Sequence, residues 1–202
     1  MGESAIYPYL VFFLRWLHIL SGICWIGLLY FFNFVNVPFQ GVLEKELKPR
    51  VNPPLLLRAL WWFRWSAMVT FVVGWFLLAY KYTHMHLWTG PEGQMSDMAL
   101  WILFGGILGS IMWFNVWFVI WPSQRKIIGF MKAGQTPPEM AVLAKRALLF
   151  SRTNAYLSGP MLFGMIAPNH FGTMGVVPVL VVTVVGLATI WLAIEASKKV
   201  AV

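Results

Sequence analysis

The sequence predicts an all-α fold, a polytopic transmembrane helix bundle of five spans with its N-terminus outside and its C-terminus cytoplasmic. Three observations predict it. The 202 residues are 59% hydrophobic and only 11% charged, with mean hydropathy +0.71, far less charge than a soluble domain carries. The apolar residues gather into five runs, each near the roughly 20 residues that cross a hydrocarbon core. The basic residues fall on one side of the resulting layout. A single transmembrane domain over 1–202 accounts for the chain, with no room for a second.

The first span is expected over 8–36, long enough to tilt or project, and the polar stretch PFQGVLEKELKPRVNPP follows it. The second runs over 57–83 and gives way to TGPEGQMSD. The third covers 99–121, before WPSQRKIIGFMKAGQTPPEM. The fourth covers 147–167; Pro168 should end it, placing His170 on a short loop able to fold inward. The fifth covers 175–196.

The net charge of +8 follows from orientation and needs no nucleic acid partner. With five spans, Lys45, Lys48, Arg50, Arg58, Arg125, Lys126, Lys132, Lys145, Arg146, Lys198 and Lys199 share one side. The opposite side has Lys81, with Glu3, Glu92 and Asp97. That asymmetry sets the expected topology. The N-terminus, MGESAIYPY, lacks a basic region, so no cleaved signal peptide is expected. The lone Cys24 excludes an internal disulfide, a CxxC redox pair and a CxxCH site for covalent haem c. There is no GxxxxGK[ST], GxGxxG or HExxH. Internal repeats of the transporter kind are not visible either.

Three arginines, Arg15, Arg64 and Arg152, remain inside spans. An intramembrane charge is costly unless it meets protein, water or a counter-ion. Arg64 and Arg152 are near enough to the cytoplasmic ends to snorkel. Arg15 opens a stripe on the first span, where Arg15, His18, Gly22, Trp25, Leu29, Asn33 and Asn36 repeat at helical spacing. The other faces are Leu, Ile, Phe and Tyr, as for a helix with one side turned into a bundle.

His18 lies about 16 Å along the helix from Tyr7, at roughly 1.5 Å per residue, in the expected outer half of the bilayer. A neutral imidazole there needs a partner. Read structurally, it bonds a neighbouring carbonyl or hydroxyl. Read functionally, it is an axial ligand of a haem b, with Gly22 leaving room for the macrocycle and Arg15 placed to meet a propionate. A second ligand would come from His170, His84 or His86, all at the outer ends of spans. Copper is the minor alternative, since histidines and methionines share that side. Met161 and Met165, one turn apart with Asn154 and Ser158, are expected to pack. In the third span Gly105 and Gly109 allow close helix contact, and Asn115 is a buried amide in need of a partner. Trp61, Trp62 and Trp65 fit an interfacial belt.

The strings RWLHILSGICWIGLLYFFNFVNVPF, RALWWFRWSA, IMWFNVWFVIWPSQRKII and SRTNAYLSGPMLFGM followed by NHF occur in that order. Together, over roughly residues 13–171, the chain resembles the membrane domain of the urate hydroxylase PuuD family, the urate oxidase N-terminal domain. The resemblance implies a bacterial inner (plasma) membrane protein that passes electrons outward to a periplasmic cytochrome c. Without CxxCH the chain resembles a short form lacking the family's cytochrome c domain. The family's histidines in the first span and after the fourth fall on His18 and His170, which raises His170 above His84 and His86.

Three functions are expected from these readings. The first is a redox membrane subunit holding haem b near the periplasmic face. The second is a cofactor-free accessory or assembly subunit of a larger complex, packed in the bilayer against other membrane subunits or a second copy. The third is urate oxidation, with Arg15, Asn33 or Arg64 as donors to a purine; Glu195 is the only carboxylate within a span.

Overall fold

The computed structural model describes residues 3–200. Helix α1 (Glu3–Tyr30) runs into a π-helical segment, Phe31–Asn36, and on into the short α2 (Val37–Val42). After a brief link comes α3 (Lys48–His84), followed by a loop and α4 (Asp97–Phe114). Helix α4 passes through a second π-helical segment, Asn115–Ile120, into α5 (Trp121–Lys132). Helices α6 (Pro138–His170) and α7 (Val176–Ser197) complete the bundle. Among the described residues the only extended pairing is an isolated bridge, Thr89 with Met95. The all-α class expected from the sequence is therefore what forms.

Four helical stretches are long and apolar enough to cross a membrane: Ile6–Val42, Lys48–His84, Asp97–Lys132 and Val176–Ser197. They make the chain a multi-pass membrane protein in a bilayer environment. The run expected over 147–167 falls on α6, which is not among those four. Its hydropathy is diluted by Lys145, Arg146, Arg152, Asn154 and Ser158. Two of these, Asn154 and Ser158, are fully buried. Helix α6 packs against α4, α5, α7, α1 and both π segments, and its interior position is where polar side chains find partners.

The helices outrun the expected spans, and proline explains the largest difference. The expected first and third spans stop at 36 and 121, ahead of Pro38 and Pro122, and proline inside a helix lacks an N–H and collides with the carbonyl four residues back. Instead, each π segment ends one residue before a Val-Pro or Trp-Pro pair, Val37-Pro38 and Trp121-Pro122. A π turn is wider than an α turn and inserts one residue into the ladder, so the chain absorbs the proline and stays helical. Pro168 likewise fails to stop α6. The helix continues to His170, and the Phe171 N–H still bonds the Ala167 carbonyl at 2.9 Å.

Two glycine crossings set the tightest contacts. A Cβ on Gly105 would lie 2.9 Å from the Gly164 carbonyl carbon, and one on Gly159 would lie 2.6 Å from the Gly186 oxygen. Only hydrogen fits at such approaches. They lock α4 onto α6 and α6 onto α7. The main core then fills with Leu29, Phe63, Met112, Val116, Ile128 and Ile194. Met161 is buried within it and Met165 packs on it, as the packing expectation required. Trp61, Trp62 and Trp65 are exposed, in keeping with an interfacial belt.

Candidate functional site

The stripe on α1 turns inward progressively. Arg15 is exposed, His18 and Gly22 are half-buried, and Trp25, Leu29 and Asn33 are buried. The buried part divides into two polar clusters, one around His18 between α1 and α3, the other around Asn154.

His18 Nδ1 lies 2.9 Å from the backbone carbonyl oxygen of Thr70 on α3. A carbonyl only accepts, so Nδ1 carries the proton and donates it, and Nε2 keeps its lone pair. The ring is seated on Gly74, one turn further along α3. A Cβ at Gly74 would stand 2.6 Å from His18 Cε1 and 2.9 Å from Nδ1. Any side chain there would displace the imidazole. Around the ring, Thr70 Oγ1 lies 2.9 Å from Ser21 Oγ and 2.7 Å from the Ser66 carbonyl. Ser21 in turn bonds the Leu17 carbonyl at 2.8 Å.

Gly22 faces α3. Its nearest neighbour is Thr70 Cγ2, 3.8 Å from an ideal Cβ, so it allows α1 to approach α3. The glycine that shapes the imidazole's seat is Gly74, which the sequence reading missed. The available signal was a single glycine in VVGWF, one helical turn from Thr70 on the second span.

The remaining histidines sit at the end of the bundle shared by the start of α1 and the ends of α3 and α6. His84 stacks on Tyr7 with ring centroids 4.0 Å apart, and Tyr80 stacks beyond at 6.0 Å from His84. His86 is exposed with φ 50°, in the turn after α3. His170 is not on an inward-folding loop; it is the exposed last residue of α6. The residue after it, Phe171, packs on Trp101 at 5.7 Å, and Trp101 Nε1 donates to the Gly172 carbonyl at 3.1 Å. Among the described residues, no hydrogen bond or ring contact joins His18 to His84, His86 or His170. Nor do three or more His, Cys, Asp and Glu side chains gather as a metal-ion site.

A haem would require of this chain an imidazole held by one nitrogen with the other free. His18 is held through Nδ1 by the Thr70 carbonyl, and its ring fills the space over Gly74.

The second cluster is nearly spent on itself. Asn115 donates to Asn154 Oδ1 at 2.8 Å, and Asn154 donates to the Met112 carbonyl at 2.9 Å. Thus Asn115 finds the partner it needed, on α6. Asn33 donates to the Leu29 carbonyl and to Ser151 Oγ, both at 2.9 Å. Tyr30 and Ser158 hydroxyls lie 2.9 Å apart. Asn33 Oδ1 is buried without a partner. Asn33 and Asn115 both belong to the π segments, so these amides fasten the widened turns to α6.

A family model described as urate oxidase N-terminal matches residues 87–196. The chain belongs to that family. The match spans more than half of the sequence and includes α4 to α7, hence Asn115, Asn154 and His170; Arg15, His18, Gly22 and Gly74 precede it. No curated protein and no solved structure matches the chain.

Proposed function

We propose that the chain is an integral membrane redox subunit of the bacterial inner membrane, binding haem b near the periplasmic face. It exchanges electrons there with a periplasmic cytochrome or a partner respiratory complex. The observation that carries this reading is the state of His18. Its Nδ1–H is committed to the Thr70 carbonyl, its ring is seated on Gly74, and its Nε2 lone pair is unspent. In this reading His18 would hold the haem iron, and His170, the exposed last residue of α6, is the second candidate ligand. When bound, the haem supplies a one-electron couple. The chain's own part is to fix the His18 tautomer and to keep lipid off the ring.

The topology belongs to the same proposal. With α6 as a fifth span, at about 50 Å long by the roughly 1.5 Å rise per residue, the spans number five. The basic residues then place the N-terminus outside and the histidine end at the periplasmic face.

The purified full chain is expected to show a Soret band and a sharp reduced α-band on dithionite addition, with His18→Ala losing both. A folded, monodisperse preparation without a Soret band, from cells supplied with a haem precursor, would sink the reading. Urate oxidation, which the family description brings to mind, gains less support from the site. Arg15 and Asn33 are about 27 Å apart along one helix at the roughly 1.5 Å rise per residue, and Arg64 is caged on α3 by tryptophans.

A further inference from the structure

The end of the bundle opposite the histidines holds a cation that the proposed redox site does not use. The Arg64 guanidinium carbon lies 4.1 Å from the Trp121 ring centroid, 5.3 Å from that of Trp117 and 5.4 Å from that of Trp65. The Trp117 indole also donates to the Arg64 carbonyl at 3.2 Å, fixing the cage to the backbone. Arg64 Nε is buried with no hydrogen-bond partner. Among the described residues the ion pairs are Lys126 with Glu139 and Lys198 with Glu195, so no carboxylate serves Arg64.

Trp121 also walls an open groove of about 390 Å³ on the face of α5 that Pro122, Arg125 and Lys126 complete. Trp121 and Arg125 are one turn apart on α5, as are Pro122 and Lys126. Arg125 and Lys126 are exposed at its rim. Three cations thus gather around one indole, and Glu139, 3.3 Å from Lys126, is the one carboxylate paired there. Exposed Trp61 and Trp62, one turn before Arg64 on α3, mark this level as the membrane–water interface.

We propose that this groove binds the phosphate headgroup of an anionic phospholipid from the leaflet at the basic end of the bundle. Arg125 and Lys126 meet the phosphate, Arg64 adds charge from behind Trp121, and the indole covers the glycerol. Basic residues clustered on a helix at the membrane surface attract anionic headgroups. The interfacial depth favours a lipid over phosphate free in solution.

Native mass spectrometry of the full chain, with phosphatidylglycerol, phosphatidylcholine and inorganic phosphate as probes, tests this. The wild type should retain phosphatidylglycerol in preference to phosphatidylcholine. Arg125→Gln with Lys126→Gln should cut that retention about fivefold per residue, from roughly 1 kcal/mol per basic side chain. Lys132→Gln, also exposed on α5 but outside the groove, should leave it unchanged. Arg64→Gln should weaken binding too; if it fails to fold, the rim double variant still decides. Equal retention of the two lipids, or an unaffected double variant, overturns the proposal. Displacement of phosphatidylglycerol by excess inorganic phosphate assigns the groove to a free anion and overturns the lipid source.

Discussion

The α1–α3 seam and the α4–α6 seam are both polar, yet they spend their polar atoms differently. In the α4–α6 seam, Gly105 and Gly164 bring two backbones into contact, and the Asn115–Asn154–Met112 chain uses the amides on one another. In the α1–α3 seam, the Thr70 carbonyl holds an imidazole that makes one bond and keeps one lone pair, while the Thr70 and Ser21 hydroxyls bond each other. A buried polar group with all its bonds made holds helices together. The half-buried His18, with one nitrogen bonded and one left over, is the group on which the proposed function rests.

The contrast breaks most severely at the glycine crossing. Gly164→Leu should cost about 3 kcal/mol or more, since a Cβ there would be 2.8 Å from the Gly105 nitrogen. Loss of monodisperse protein on size exclusion would register it. Gly22→Ala in the other seam should be tolerated, its Cβ meeting Thr70 Cγ2 at an ordinary 3.8 Å.

Next comes Asn154→Leu, which strands the Asn115 amide and the Met112 carbonyl. Reversible unfolding in SDS should show a loss of about 1–2 kcal/mol, with haem content per folded protein unchanged. Gly74→Ala should do the reverse. Its stability cost is about 1 kcal/mol or less if the ring swings aside, while the Soret absorbance falls because His18 has left its seat. The smallest effect is expected from Thr70→Val. It removes the contact with Ser21 at about 0.6 kcal/mol but keeps the carbonyl that orients His18, so the spectrum should not move. A Thr70→Val spectrum resembling that of Gly74→Ala would mean that the hydroxyl, not the carbonyl, sets the ring.

Much of this was legible in the sequence because it is local. The five helix centres follow from apolar run length. The stripe from His18 to Asn33 follows from a period that holds within one helix, and Asn115's need for a partner follows from its apolar surroundings. What escaped depends on pairings between distant segments or on local rules overruled by them. Gly74 matters only because α3 is in register with α1 at His18, and nothing in VVGWF states that register. The expected spans stop at 36 and 121, but π turns tied to α6 through Asn33 and Asn115 carry the helices on past Pro38 and Pro122. Pro168 is buried and helical for the same reason, with α4 packed along α6. The run over 147–167 was legible as a helix, but that Asn154 and Ser158 lie buried against neighbouring elements was not, since their partners stand far off in the sequence.

The most direct test of the His18 assignment is the haem-to-protein ratio of the purified chain, measured for wild type, His18→Ala and His86→Ala. His86 is exposed in a turn and makes no contact with His18. Near-stoichiometric haem is expected in the wild type and the His86 variant and none in the His18 variant. Equal haem in all three would contradict the assignment.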